Sequence, residues 1–183
     1  MRDERDVPGI AEDGVEWPVS DDGQDWLVSW HPPPEPPAGT PHGSGAVCVS
    51  DGRVVLVTSD GERWGLPGGR PEPGEDWAAV LRREIAEEAC ATVLGARLLG
   101  YGRGRCVRGR EAGRALVRAH WRAEVRLEPW RPEYEMTGRR LVPAAGALAA
   151  MWIEDGFAPL YRRMFAEARA AGNCQGVLPD SGA

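Results

Sequence analysis

The sequence contains no lysine, so all 22 of its basic residues are arginine, and 28 acidic residues give a formal net charge of −6. Proteins that bind nucleic acid in general need a basic surface, because contacts with phosphates supply much of the affinity. The acidic balance therefore argues against general nucleic-acid binding. It does not exclude a small anionic substrate, because a bound metal ion can reverse the local field.

Long apolar stretches are missing as well. No apolar run approaches the roughly 18 residues that suggest a membrane span, and the chain begins with the charged sequence Met1–Arg5. Such a start lacks the apolar core of a secretory signal. We therefore predict a cytoplasmic protein that does not interact with membranes.

Sulfur and nitrogen metal ligands are few and scattered. The four cysteines, Cys48, Cys90, Cys106 and Cys174, form no Cys-x-x-Cys pair, and the three histidines are equally dispersed. This spacing predicts neither a zinc site nor a disulfide framework, so we expect reduced thiols.

The first 43 residues are predicted to lie outside the compact domain. Residues 1–23 are rich in Asp, Glu and Gly and are expected to form a mobile tail. A short strand is predicted at Asp25–Trp30. It leads into His31–Pro37, where the prolines disfavour both helix and sheet and predict a stiff linker.

The domain itself is predicted over residues 44–172, followed by a tail at residues 173–183. Two apolar runs, Ala46–Val49 and Arg53–Val57, flank Asp51-Gly52, which is a strong hairpin signal. Further along, apolar and polar residues alternate strictly over residues 117–127, as expected of a half-buried strand.

Helices are predicted at both ends of these strands. One precedes the alternating strand and is expected at about Glu75–Ala91. Two follow it, at about Ala144–Trp152, with Pro143 in the first turn, and at about Ala158–Ala171, which ends at Gly172. This order of elements favours an α+β fold, or an α/β/α layered domain, with a mixed sheet.

The predicted helix at Glu75–Ala91 carries three carboxylates on one side. At 100° per residue, Glu84, Glu87 and Glu88 fall within an arc of about 100°. The adjacent apolar stripe, which can pack on a sheet, consists of Ala78, Leu81, Ile85 and Ala89. The sequence therefore holds the three carboxylates together on an anchored helix.

Carboxylates at this density repel one another and weaken an isolated helix. A hard divalent cation with oxygen ligands would relieve the repulsion, and magnesium commonly combines a few carboxylates with substrate phosphates. The glycine-rich turn before the helix allows close approach of the backbone to a ligand. Arg83 can bind a carboxylate through two hydrogen bonds and fix its orientation.

A solvated acidic helix is the simplest alternative, and it would usually explain a lone Glu-Glu pair. Here the pattern Gly-x5-Glu-x7-Arg-Glu-apolar-x-Glu-Glu fixes six residue identities between Gly69 and Glu88. At average residue usage, a chance match in this chain is on the order of one in 10⁵. A functional site is therefore the better explanation.

The segment Gly69–Ala91 resembles the Nudix box, and the flanking strand pattern extends the resemblance over about Ser44–Ala171. It departs from the family's pattern at Cys90, which stands where the family has glycine. The resemblance implies a Nudix-type α/β/α sandwich with a loop-helix-loop catalytic motif. It also implies Mg²⁺-dependent hydrolysis of a diphosphate linkage in a nucleoside diphosphate derivative, with Mn²⁺ as a substitute.

By the same resemblance, three box carboxylates would bind the metal, namely Glu84, Glu87 and Glu88. Glu84 is also a candidate for the general base, and Gly69 would contribute its backbone carbonyl. Glu75 and Arg83 would brace the loop and the helix. The metal would neutralise the diphosphate oxygens and lower the pKa of a bound water, whose proton a carboxylate removes during attack.

Candidates outside the box are fewer. Many Nudix enzymes use a further carboxylate from a loop, for which Glu135 is preferred here over Glu133, with simple loop charges as the alternative. Trp64 is a candidate for stacking on a base, although a buried tryptophan at a strand end is more common. Arg118 belongs to an arginine-rich segment that either receives an anionic group of the substrate or forms a solvated hairpin.

Two other functions compete with that of an active enzyme. One is a catalytically idle Nudix domain that binds a nucleotide to regulate a partner, although all box carboxylates are retained. The other is a protein-interaction module built on the N-terminal residues 1–43. For the enzyme, nucleoside triphosphates, nucleotide sugars, dinucleoside polyphosphates and non-nucleotide diphosphates are all compatible substrates. Nudix proteins are often dimers, so the resemblance is compatible with a homodimer, although the sequence does not reveal the oligomeric state.

Overall fold

Valine-rich and alternating strands make up most of the fold. The computed structural model describes residues 8–172, which contain one mixed sheet and two α-helices. The strands are β1 (Trp17–Asp21), β2 (Gln24–His31), β3 (Thr40–Ser50), β4 (Arg53–Thr58), β5 (Gly68–Gly69), β6 (Ala91–Arg108), β7 (Ala115–Leu127) and β8 (Gly138–Pro143). The helices are α1 (Trp77–Ala89) and α2 (Ala158–Ala170).

The sheet is mixed because one central pair of strands is parallel. Its order is β1-β2-β6-β7-β3-β4-β8, with β5 beside β3. The strands β3 and β7 run parallel, and the other pairs are antiparallel. The predicted α+β fold with a mixed sheet is therefore confirmed.

The two helices cover opposite faces of this sheet. On one face, Leu81 and Ile85 of α1 are fully buried against strand residues such as Val55. On the other face, Met164 and Phe165 of α2 pack in a second core. The result is the predicted α/β/α sandwich. Neither helix of residues 8–172 is long and apolar enough to cross a membrane.

The N-terminal segment belongs to the sheet, which corrects the prediction of a tail over residues 1–23. The strands β1 and β2 form a hairpin, here called the N-terminal hairpin, at the edge of the sheet. Its Trp17 and Trp30 are 1% and 0% exposed. The indole of Trp17 donates a hydrogen bond to the carbonyl of Gly156 at 2.9 Å. Such distant packing outweighs the polar composition of the segment.

Three further predicted elements are present in the structure: a hairpin, a short strand and the last helix. The hairpin at Asp51-Gly52 is confirmed, with φ angles of 48° and 72°. The short strand predicted at Asp25–Trp30 lies within β2, and the last helix lies within one residue of its predicted end. Residues 1–7 and the tail predicted at 173–183 lie outside the described residues.

The helix predicted at Ala144–Trp152 is wrong. Residues Ala144–Gly146 and Leu148–Ala150 form two short 3₁₀ turns instead. Ala147 is buried and Leu148 and Met151 pack partly against the core, so apolar contacts are made by the short turns without a continuous helix. Gly146 in the middle of such a helix would cost about 1 kcal/mol.

Candidate active site

The helix α1 positions the three box carboxylates, which we call the acidic cluster (Glu84, Glu87 and Glu88). It is shorter than predicted because it begins after Asp76, whose carboxylate accepts a hydrogen bond from the amide of Ala79 at 2.7 Å. It ends at Ala89, before Cys90. Its apolar side is buried on the sheet, so the carboxylates of Glu84 and Glu88 are held at the boundary of the core.

The glycine turn of β5 lies directly against this cluster. The amide of Gly68 donates a hydrogen bond to Oε2 of Glu88 at 2.8 Å. A side chain at Gly69 would collide with the carboxylate of Glu84. A side chain at position 69 would therefore displace the carboxylate of Glu84 from its place beside the turn.

Arg83 connects the helix to the loop that precedes it. Its Nε and Nη2 donate to the two carboxylate oxygens of Glu75 at 2.8 and 2.9 Å. Its Nη1 donates to Glu84 at 2.9 Å and to Glu87 at 3.3 Å, and Nη2 also donates to the carbonyl of Arg70. The paired hydrogen bonds to Glu75 are the strongest geometry available to a guanidinium. They brace the loop as predicted for these two residues from the Nudix box.

Burial makes negative charge unfavourable in the acidic cluster. Glu84 and Glu88 are 8% and 7% exposed. Burial raises the pKa of Glu84, and burial together with the charges of Glu84 and Glu135 raises the pKa of Glu88 to about 7. Carboxylates in this state gain stability when a positive charge is placed between them.

The donor atoms fit a hard divalent cation, although the side chains are not gathered around one point. Among residues 8–172, no group of three Asp, Glu, His or Cys side chains is arranged to hold a metal ion. Arg83 draws Glu84 and Glu87 towards itself, while Glu88 turns to the amide of Gly68. The available donors are all oxygens and include partly desolvated carboxylates, which is the chemistry that magnesium prefers.

Glu135 is the loop carboxylate that the structure places near the acidic cluster. It is exposed, in the loop between β7 and β8, and its negative charge contributes to the raised pKa of Glu88. The preference for Glu135 over Glu133 as a further catalytic carboxylate stays a prediction.

Two clefts lie on the α2 side of the sheet. The larger, of about 740 Å³, we call the arginine cleft; its walls include Arg70, Arg103, Arg110, Arg114 and Arg118. The smaller, of about 380 Å³, we call the tryptophan cleft; its walls include Trp64, Trp152, Phe157 and Tyr161. Both clefts are lined by Arg118, His120, Phe157 and Leu160. They therefore share one wall.

The side chain of Arg118 lies beside two glycines of β3, Gly43 and Gly45. The parallel register pairs Arg118 with Gly43. A side chain at Gly43 would come within 3.1 Å of the Arg118 guanidinium and 2.6 Å of the Gly69 carbonyl oxygen. Gly45, two residues further on the same face, also borders this guanidinium. These glycines therefore bring Arg118 beside the β5 turn, which contacts the acidic cluster.

Trp64 borders the tryptophan cleft, but one of its faces is covered. The guanidinium of Arg140 lies 4.2 Å from its ring centroid. The ring is partly buried against the core on the α2 side. Trp64 is therefore a wall of the cleft and is not open on both faces to a base.

The sequence reasoning missed Arg70, His120 and the N-terminal hairpin as parts of the clefts. His120 lies on the polar face of β7 yet is 5% exposed, and its ring stacks on Trp30 at a centroid distance of 5.8 Å. Burial and the charge of Arg118 lower its pKa to about 3. Period-2 alternation predicted only that this face is polar, because the hairpin that covers it comes from distant sequence.

Cys90, in the glycine position of the box, adopts the left-handed conformation with φ 44° and ψ 57°. The turn is held by hydrogen bonds to the Cys90 carbonyl from the amide of Glu128 at 2.9 Å and from Arg139 at 3.0 Å. Arg139 also donates to the carbonyl of Ala89 at 2.7 Å. The left-handed turn is therefore kept without glycine.

We expect Cys90→Gly to raise the free energy of unfolding by up to about 1 kcal/mol, because a Cβ in this conformation strains against the backbone. Activity should be unchanged. Urea unfolding of the wild type, Cys90→Gly and Cys90→Ala provides the measurement. Cys90→Ala removes the thiol but keeps the Cβ, so a gain shared by both variants would refute strain as the cause.

Comparisons with known proteins agree with this architecture. The family model described as NUDIX domain matches residues 40–156. The pyrophosphohydrolase BsRppH of Bacillus subtilis shares 19% identity over 87% of this chain and 99% of its own, with a TM-score of 0.65. A Nudix hydrolase from Nitrosomonas europaea shares 22% identity over 72% of this chain and 90% of its own, with a TM-score of 0.56. No curated protein sequence matches the chain.

The family model covers well over half of the chain, from β3 to the loop before α2, and the solved structures share its fold. The chain belongs to the Nudix hydrolase family. The resemblance predicted from residues Gly69–Ala91 and the prediction of an enzyme of this class are thereby confirmed. Nudix hydrolases generally use divalent metal ions and act on small-molecule substrates.

Proposed function

We propose that this protein hydrolyses a diphosphate linkage in a nucleoside diphosphate derivative or a nucleotide-like substrate, with Mg²⁺ as its cofactor and Mn²⁺ as a substitute. The observation that carries the proposal is the acidic cluster, which is braced by Arg83 and in which Glu84 and Glu88 interact electrostatically with Arg118, a residue that lines both clefts. The similarity in fold to a pyrophosphohydrolase from Bacillus subtilis supports it.

The metal would be held by the carboxylates of Glu84, Glu87 and Glu88 and by the backbone carbonyl of Gly69. When bound, it supplies positive charge that neutralises the diphosphate and activates the attacking water. The partial burial of Glu84 and Glu88 excludes water from these carboxylates and strengthens their attraction for a cation. Arg83 keeps Glu84 and Glu87 on one side of α1.

A carboxylate must accept the proton of the attacking water, and three are candidates in this protein. Glu84 and Glu88 lie in the acidic cluster, and Glu135 faces it from a loop. An efficient general base has a pKa near the working pH, and a carboxylate that binds the metal has its pKa lowered by the cation. Arg83 orients the cluster through Glu75 and does not itself take the proton.

Substrate binding is assigned to the two clefts. Arg118 lines both and lies beside the Gly69 carbonyl, so it is placed to bind a phosphate oxygen of the substrate. Trp64 forms an apolar wall of the tryptophan cleft, where a base or another planar group would contact it. The idle regulatory domain is the alternative, but it leaves the retained carboxylates and the Arg83 network without a role.

The proposal is tested by a hydrolysis screen with Mg²⁺ over nucleoside triphosphates, nucleotide sugars, dinucleoside polyphosphates and non-nucleotide diphosphates. Both products of each reaction should be identified, because their phosphate content locates the broken bond. We expect cleavage within a diphosphate for at least one class. Tight binding of a nucleotide without turnover of any compound would instead favour the regulatory domain.

A further inference from the structure

The arginines of the arginine cleft are of two kinds. Within residues 8–172, Arg70 and Arg118 take part in no salt bridge through their guanidinium groups. By contrast, Arg110 pairs with Asp22 and Arg114 with Glu111. Two arginines of the cleft therefore have no carboxylate bonded to them, and the charge of Arg118 also acts on Glu84 and Glu88 of the acidic cluster.

The positive charges of these arginines help to lower the pKa values of two neighbouring histidines. Arg70 and Arg118 both contribute to the lowered pKa of His42, which also lines the cleft, after the larger effect of burial. Arg118 contributes in the same way to the lowered pKa of His120. Burial and these charges disfavour the protonation of both imidazoles, and the same arginines would stabilise an anion in the cleft.

His120 supplies a second, independent sign of a ligand. It is 5% exposed, and its Nε2 has no hydrogen-bond partner in the described part of the chain. This nitrogen faces Gly102, a wall of the arginine cleft, where a side chain would come within 2.9 Å of it. Buried polar atoms normally have partners, so an unpaired one beside a cleft marks a position for a polar group of a ligand.

Part of the cleft wall lies outside the match to the family model. Several wall residues, including Asp22, Gln24 and Trp26, come from the N-terminal hairpin. These residues precede position 40, where the match to the Nudix family model begins. The cleft therefore combines residues of the matched domain, among them Arg70 and Arg118, with residues of the hairpin.

We propose that the arginine cleft is a second anion-binding subsite, which recognises a phosphate of the substrate that is not part of the diphosphate being split. Arg70 and Arg118 bind this phosphate, and His120 contacts it or its attached group. This inference rests on the proposed function, because Arg118 also borders the turn at the acidic cluster. It selects diphosphate compounds that carry at least one further phosphate.

The subsite can be tested without turnover. Full-length protein in excess EDTA is titrated with inorganic tripolyphosphate by calorimetry, where no metal can recruit the anion to the acidic cluster. We expect saturable binding that Arg70→Gln and Arg118→Gln each weaken at least about ten-fold, because each removes a charge-assisted contact with phosphate. Arg126→Gln, on the same strand as Arg118 but outside the cleft, is the matched control.

Kinetics then connect the subsite to substrate choice. ATP and ADP share the same α–β linkage, and only ATP carries a further phosphate. We expect Arg70→Gln to lower kcat/KM at that linkage at least about ten-fold for ATP but less than about three-fold for ADP. Absence of tripolyphosphate binding to the wild type, or equal weakening by Arg126→Gln, would overturn the subsite even if diphosphates are hydrolysed. Binding without any hydrolysis would overturn the proposed function and leave the subsite standing.

Discussion

Replacing Glu88 by glutamine should leave the fold intact and lower turnover at least about 100-fold, because it removes a ligand of the catalytic metal. Glutamine has nearly the same shape as glutamate. Its amide oxygen can still accept the hydrogen bond that the Gly68 amide donates to Glu88 at 2.8 Å. The variant therefore removes charge from the acidic cluster without removing the contact that holds the glycine turn.

The same variant has a stability signature that separates a lost charge from a damaged fold. Burial raises the pKa of Glu88 to about 7, from an ordinary value of 4.5. Between these two values the folded state holds a proton that the unfolded state has released, so stability falls as the pH rises. In metal-free protein, the wild type should lose stability over this range relative to Glu88→Gln, which has no proton to release.

The measurements are the steady-state rate at saturating Mg²⁺ and urea unfolding at several pH values. Glu87→Gln should show a similar loss of turnover, because Glu87 belongs to the same cluster. Glu167→Gln is the matched control, since it makes the same change on α2, where Glu167 pairs with Arg163. Near-normal rates in folded Glu87→Gln and Glu88→Gln would show that the acidic cluster does not bind the metal.

The sequence predicted the local machinery of the acidic cluster well, for a physical reason. Helical periodicity places Glu84, Glu87 and Glu88 on one side of α1, and this depends only on residues near in sequence. The brace between Arg83 and Glu75 also lies within one loop and one helix. Helices commonly end with a residue in the left-handed conformation, and Cys90 adopts it at the end of α1.

The clefts could not be predicted in this way because they depend on contacts between distant segments. The polar composition of residues 8–21 suggests a mobile tail, yet Trp17 and Val19 there are buried. His31–Pro37 was predicted as a linker, and it does connect β2 and β3. The N-terminal hairpin, which precedes this segment, pairs with β6. Arg103 and Arg105 of β6 form ion pairs with Glu16. Composition does not show that these charges will meet.

Arginine in the β6–β7 hairpin illustrates the same limit of local patterns. Two alternatives were open for this segment, a phosphate-binding site and a solvated hairpin. In the structure, some arginines of this segment are solvated and others are not. Arg108 is exposed and pairs with Asp25, whereas Arg118 lies beside Gly43 and Gly45 of β3. Exposed ion pairs contribute little to stability. Only tertiary structure distinguishes such an arginine from one that faces a cleft.

Removal of divalent metal should abolish the hydrolase activity completely, and Mg²⁺ or Mn²⁺ should restore it. The buried carboxylates of Glu84 and Glu88 repel each other and the diphosphate alike, so an unassisted site would oppose substrate binding. A chelator selective for zinc should have no effect. Oxygen donors alone are available in the acidic cluster, and the nearest buried thiol, at Cys48, has a pKa raised by burial and by the charge of Glu88.

Activity after dialysis against EDTA, and after return of each metal, provides the first measurement, with EDTA already saturated by Mg²⁺ as its control. Full activity in excess chelator would contradict the proposed role of the metal. A second measurement does not depend on activity. Because a ligand that binds only the folded state stabilises it, Mg²⁺ at about 100 times its Kd should add about 2.7 kcal/mol to the free energy of unfolding. Glu88→Gln should lose most of this gain, whereas Glu167→Gln should keep it. This pair of results would locate the bound metal at α1.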